Sequence, residues 1–169
     1  MLSQPIKQIG RRIPSPQLDL LQMNLLDAAS KASANAFCPS SGFCVGAALW
    51  IPKKEIVIVG ANYESASFGG TICAERAAIF TANSLGYHDF THLAITTQFK
   101  NGNPTSHASA PCGLCRQLIY DAADRVGHDI EIITSSTGHR DVIVSSIYEM
   151  LPMPFAASDF GVDLEKFRR

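Results

Sequence analysis

Residues 69–78 read GGTICAERAA, two glycines and a short approach to an alanine-rich run. The run predicts a helix from about Ile72 that stops at Gly86, where glycine accepts the left-handed conformation that closes many helices. Cys73 and Glu75 then fall two residues apart on the first turn. A glutamate is rarely buried without a partner, so the pair calls for a role beyond packing. A second helix start carries two more cysteines: PCGLCRQ, residues 111–117, has a proline before a turn that holds Cys112 and Cys115, and this helix is predicted to end at Gly127.

Cys-x-x-Cys alone fits either a redox pair or a zinc site. The redox motif usually follows the first strand of its fold, whereas this one falls late. Zinc prefers tetrahedral coordination, and Cys73, also at a helix start, is the natural third ligand. The partial positive charge of two helix N-termini favours thiolate, the form that binds zinc. Three thiolates leave a fourth position for water, whose pKa drops toward ~7 on the metal. A general base must then stand beside that water without binding the metal, and Glu75 has the chemistry and the reach. Zinc deaminases combine these features: a Cys₃ or His/Cys/Cys zinc, a non-ligand glutamate and a Pro-Cys-x-x-Cys signature. Residues 73–75 and 111–115 match that pattern in its Cys₃ version.

The remaining chain reads as alternating helices and strands. Ser15-Pro16 resembles a helix start, followed by apolar residues at helical spacing from Leu18 to Ala36. FCVGAALWI (43–51) and EIVIVGANY (55–63) suggest a hairpin, THLAITTQ (91–98) a strand buried on both faces, and DIEIITSS and DVIVSS two more strands. A short helix precedes LPMPF. This order implies a three-layer α/β/α domain over 16–169 with a mixed five-stranded sheet, and residues 1–15 are read as an N-terminal extension.

Composition excludes several classes. Lys plus Arg number 14 against 15 for Asp plus Glu, and aromatics are 8 %. A polynucleotide-gripping or nucleic-acid-editing protein is expected to show a basic groove with stacking aromatics. No stretch has the length of a membrane span, and the start lacks the apolar core of a secretory signal. Five cysteines, an odd number, favour thiols or metal ligands over a disulfide framework, so Cys38 and Cys44 are expected as separate core thiols. A cytoplasmic protein is the expectation.

Taken together, FCVGAAL (43–49), GANYESA (60–66), ICAERAA (72–78), PCGLCRQ (111–117) and MLPMPF (150–155) resemble the landmarks of the cytidine deaminase family, in its short, single-domain nucleoside branch. The resemblance spans about Phe37 to Phe160. It implies one zinc per chain on Cys73, Cys112 and Cys115, with Glu75 moving protons, and hydrolytic deamination of cytidine and 2′-deoxycytidine. It further implies that Asn62 and Glu64 bind the ribose, Phe43 flanks the base, and the backbone of Ala74 meets the base's polar edge. Phe68 and Phe155 would approach a neighbouring pocket in a homotetramer, and Arg76 would lie near the thiolates. Ser40 stands where the family usually has tyrosine, Ala110 where many members have serine, and the loop 99–110 is long. Competing readings are a deaminase of nucleotides, free bases or nucleoside antibiotics, and a non-enzymatic zinc or redox module; neither half of the latter accounts for Glu75.

Overall fold

Alternation along one strand sorts the core into two layers. In β2 (Phe43–Ile51), Ala47, Leu49 and Ile51 join an apolar cluster on one face of the sheet, while Ala48 and Trp50 join a second cluster on the other. The same period-2 split divides Leu93 and Ile95 from Ala94 in β4 (His92–Phe99), and Ile132 from Ile133 in β5 (Glu131–Ser135). Both faces are therefore apolar and both need a cover. The α1 helix (Leu20–Ser33) covers one with Leu25, Leu26 and Ala29. The α2 helix (Ala74–Ser84) and α3 (Gly113–Val126) cover the other with Ala78, Ile79, Ile119 and Ala123.

The computed structural model describes residues 10–167. With β1 (Arg11–Arg12), β3 (Ile56–Ala61) and β6 (Val142–Ser146), the sheet runs β1-β6-β5-β4-β2-β3 and is mixed: β4 and β5 are parallel, joined by the α3 crossover, and the other pairs are antiparallel. The three-layer α/β/α class holds. The sheet has six strands where five were expected, because Arg11–Arg12 form β1 against Ile143 and Val144 of β6. Two arginines show no apolar alternation; backbone pairing to β6 and the Arg12–Asp141 ion pair recruit them. Residues 1–9 lie outside the described part.

Two local expectations need correction. Ser15–Gln17 form a single 3-10 turn, and α1 starts later, at Leu20. The cause is a stronger cap: Asp19 accepts from the Gln22 backbone N–H (2.8 Å) while the Gln22 side chain accepts from the Asp19 N–H (3.1 Å), a reciprocal capping box. Cys38 and Cys44 are joined in a disulfide, with Cα atoms 5.6 Å apart. The tight turn between them, closed by a hydrogen bond from Gly42 N–H to the Cys38 carbonyl (3.0 Å), returns β2 to the end of α1 and brings the two side chains into bonding range.

Helix approach is set by two glycines. A Cβ at Gly46 of β2 would stand 1.9 Å from the Ala29 carbonyl oxygen of α1, and one at Gly60 of β3 would stand 2.4 Å from the Ala74 carbonyl oxygen of α2. Backbone cannot give way as a side-chain tip can, so a methyl at either position must push a helix off the sheet. We expect Gly46→Ala to destabilise the chain by about 3 kcal/mol or more. Gly113→Ala, with open space around the site, should stay within about 1 kcal/mol of wild type, both measured by urea unfolding.

Candidate metal centre and active-site cleft

The sulfurs meet because two helices begin side by side on one face of the sheet. Cys73 is the N-cap of α2 and Cys112 the N-cap of α3; both have extended backbone and neither side chain makes a capping hydrogen bond. Their thiols are thus left for another partner. Cys115 lies one turn into α3 and is fully buried. The three Sγ atoms lie within 4.8 Å of one another, and among the described residues this is the group able to hold a metal ion. Around a tetrahedral zinc with Zn–S bonds of about 2.3 Å, sulfurs stand about 3.8 Å apart, so the donor set fits zinc in number, chemistry and scale.

Both helix starts are pinned. Tyr63 and Ile72 exchange backbone hydrogen bonds (2.9 and 3.0 Å), which fixes the chain entering Cys73. Arg116 donates to the Pro111 carbonyl (2.8 Å) and to the Met150 carbonyl (3.3 Å), which fixes the turn before Cys112. Sequence reading missed Arg116; its signal was its place directly after Cys115.

Titration of the cluster follows from crowding. Cys115 donates to Cys73 and lowers the Cys73 thiol to about 7, against burial and the Glu75 charge, with Cys112 and Arg76 helping. The same hydrogen bond to Cys73, with burial, pushes Cys115 up. Glu75 is 5 % exposed, and burial raises its carboxyl pKa, against its own backbone N–H, the Cys115 thiol and the Arg76 charge. The Arg76 guanidinium lies over the Phe80 ring, 6.0 Å from its centroid.

A cleft of about 270 Å³ opens over this centre. Among its walls are Phe43, Asn62, Glu64, Cys73, Glu75 and Cys112, six residues singled out from sequence. Asn62 is anchored at both ends of its amide: Nδ2 donates to the Phe43 carbonyl (3.0 Å) and Oδ1 accepts from the Val45 N–H (2.8 Å). Phe43 packs edge-on against Phe99, with centroids 5.5 Å apart. Ala74 is buried with its methyl in the core; as the first residue of α2 its N–H has no acceptor within the helix. Phe68 and Phe155 are 80 % and 64 % exposed and stand outside this cleft; Phe155 stacks on Phe160 at 5.6 Å.

Other wall residues gave no signal in sequence, among them Ser41, Thr97 and Ser109. Ser109 and Ala110 arrive on the long loop 99–110, which is tied down at both sides. Thr105 accepts at its hydroxyl from Thr137 N–H and donates from its own N–H to the Thr137 hydroxyl (both 2.9 Å). Thr137 in turn donates to the Thr97 carbonyl (2.8 Å). Ala108 N–H donates to Asp141 (2.9 Å), which also pairs with Arg12 of β1. His107 is not among the cleft walls.

A thiol triad at two helix starts, with a buried carboxyl that lines the same small cleft as two of the cysteines, fits the donor set and general base of a deaminase-type zinc site. Comparison with known proteins agrees. The family model "Cytidine and deoxycytidylate deaminase zinc-binding region" matches residues 21–126. The chain is 38 % identical over 137 residues to a cytidine deaminase of Halalkalibacterium halodurans, covering 81 % of this chain and 96 % of the relative. It is 34 % identical over 144 residues to a probable cytidine deaminase of Dictyostelium discoideum, covering 85 % and 90 %. The crystal structure of a cytidine deaminase from Burkholderia pseudomallei superimposes with a TM-score of 0.68 at 35 % identity, covering 79 % of this chain and 98 % of that one. The chain belongs to the cytidine deaminase family.

Asn62→Asp tests the cleft's framework. It keeps shape but removes the donor to the Phe43 carbonyl and sets two acceptors face to face. We expect a loss of about 1–3 kcal/mol, read as a fall of about 2–10 °C in the thermal midpoint for a chain of this size.

Proposed function

We propose that this chain is a zinc-dependent cytidine deaminase, which hydrolyses cytidine and 2′-deoxycytidine to uridine and 2′-deoxyuridine with release of ammonia. The observation that carries the reading is Glu75: a buried carboxyl on the first turn of α2, beside Cys73 and lining the same cleft as Phe43 and Glu64. A structural zinc knuckle would need a fourth protein ligand and gives Glu75 no task.

Cys73, Cys112 and Cys115 would hold one zinc per chain. When bound, zinc supplies the Lewis acidity that lets water attack as hydroxide near neutral pH. Glu75 takes the proton lost by the attacking water and delivers it to N3 of cytosine as the C–O bond forms at C4. It then carries the remaining hydroxyl proton to the amino nitrogen, the C4–N bond breaks, and ammonia leaves. Burial raises the Glu75 pKa toward the working pH, which suits a group that must both accept and give a proton. Arg76 adds a positive charge that offsets the excess negative charge of three thiolates on a divalent ion.

Substrate choice rests on the far end of the cleft. Glu64 accepts from the Ser40 and Ser41 N–H groups at 2.7 and 3.2 Å and from the Ser41 hydroxyl. These contacts, the Ser41 hydroxyl first, hold its pKa below the usual carboxylate range. A fixed negative charge there accepts a sugar hydroxyl and repels a nearby 5′-phosphate, which favours nucleosides over nucleotides and nucleic acid. Phe43 flanks the base, Asn62 offers its spare N–H and lone pair to the ribose, and the free N–H of Ala74 faces the base's polar edge. Phe68 and Phe155, left uncovered on one chain, would complete a neighbour's cleft in a homotetramer. Among the described residues no helix is long and apolar enough to cross a membrane, and we place the enzyme in the cytoplasm, in pyrimidine salvage.

Purified protein is expected to convert cytidine to uridine while leaving CMP and cytosine essentially untouched. Turnover of CMP at the cytidine rate would overturn the nucleoside assignment. Glu75→Gln should retain its zinc and lose about 10²–10⁴-fold in kcat; near-normal turnover in that variant would remove Glu75 from its role.

A further inference from the structure

The turn between α1 and β2 carries a feature that the reaction scheme leaves unused. Ser41 stands at the cleft wall with its hydroxyl in two hydrogen bonds at once. It donates to Oε1 of Glu64 and accepts from the Phe43 N–H (2.9 Å). Phe43 begins β2 and lies on the base side of the cleft; Glu64 follows β3 and lies on the sugar side. One hydroxyl therefore links the two walls between which a nucleoside would lie.

The carboxylate's remaining capacity sharpens the point. A carboxylate offers about four acceptor sites. Oε2 of Glu64 takes the Ser40 and Ser41 N–H groups, and Oε1 takes the Ser41 hydroxyl. About one acceptor site is left, on Oε1, and its direction is set by where Ser41 holds that oxygen. Without the hydroxyl, the two N–H bonds still retain Oε2, but the carboxylate can rotate about that anchor. The turn itself is braced at its base: the Cys38–Cys44 disulfide closes it, and the Gly42 N–H bonds back to the Cys38 carbonyl. Glu64 N–H also donates to the Phe37 carbonyl (2.8 Å), just before that brace.

We infer that Ser41 is a positioning residue for substrate recognition, which aims the single free acceptor of Glu64 at one of the two ring hydroxyls of the ribose, 2′ or 3′, and couples that aim to Phe43 on the base side. The inference rests on the cytidine reading above. Ser41 touches neither the thiol triad nor the reacting carbon, so its effect belongs to binding and not to the chemical step.

The test compares wild type, Ser41→Ala and Ser41→Thr on cytidine and on 2′,3′-dideoxycytidine, which lacks the 2′- and 3′-hydroxyls and keeps only the 5′-hydroxyl. For Ser41→Ala we expect KM for cytidine to rise about tenfold with kcat within about twofold, and KM for the dideoxy substrate to move less than about twofold. Ser41→Thr, which keeps the hydroxyl, should restore most of the cytidine KM. An unchanged cytidine KM in Ser41→Ala would overturn the inference while leaving the deaminase reading intact. So would an equal rise for both substrates or a fall in kcat alone, since these mark a merely structural role. A wild type that leaves cytidine untouched, with zinc bound, would overturn the functional reading and this inference together.

Discussion

Three thiols held within 4.8 Å of one another are the constraint around which the domain is arranged. Ionised without a cation, each pair would repel by about 3–4 kcal/mol at an effective dielectric of 20. The three pairs together reach about 10 kcal/mol, the size of the whole stability of an ordinary domain. The cluster is tolerable as thiols that share protons, or as thiolates around a positive ion, and the helix N-termini favour the second. Holding it demands that α2 and α3 begin next to each other on one face of a rigid sheet. The close seat of α2 on Gly60, the Tyr63–Ile72 bonds and the Arg116 clamp on Pro111 each serve that demand.

The cleft is organised differently from the core beneath it. Its floor is charged or titratable, with Glu75 and the cysteines, and its walls are fixed by short polar side chains bonded to backbone. Asn62 ties its own wall to β2 through the Phe43 carbonyl and Val45 N–H. The threonines at 97, 105 and 137 tie the long loop to the carboxyl ends of β4 and β5. Such contacts use few rotatable bonds and leave little freedom to lose when a ligand arrives, which is what preorganisation requires. The exposed rings of Phe68 and Phe155 are not among the cleft walls.

Much of this was legible in the sequence because the signals were periodic or chemical. Apolar runs marked strands at 43–51 and 91–98, the second of them as buried on both faces, and glycines at 86 and 127 marked helix ends. The spacing of Cys73, Glu75, Cys112 and Cys115 announced the centre before any fold was known. What was missed depends on contacts with no pattern in one dimension. The Asp19–Gln22 box, whose reciprocal bonds become visible only in the structure, starts the helix in place of Ser15-Pro16. β1 is held by backbone pairing and one Arg12–Asp141 ion pair, neither of which has a pattern in sequence, and an odd cysteine count concealed the Cys38–Cys44 bond because the triad takes the other three. Ser41 was silent for a related reason, a serine in a turn being ordinary until its partners are known, and the place of Arg116 beside Cys115 did not name the carbonyls it binds.

The central claim is that these three sulfurs, and no fourth, bind the metal. X-ray absorption at the zinc K-edge of the purified protein tests it most directly. The account predicts one zinc per chain with three sulfurs at about 2.3 Å and one lighter atom at about 2.0 Å. Four sulfurs, or a protein that holds no zinc at all with its triad reduced, would contradict it.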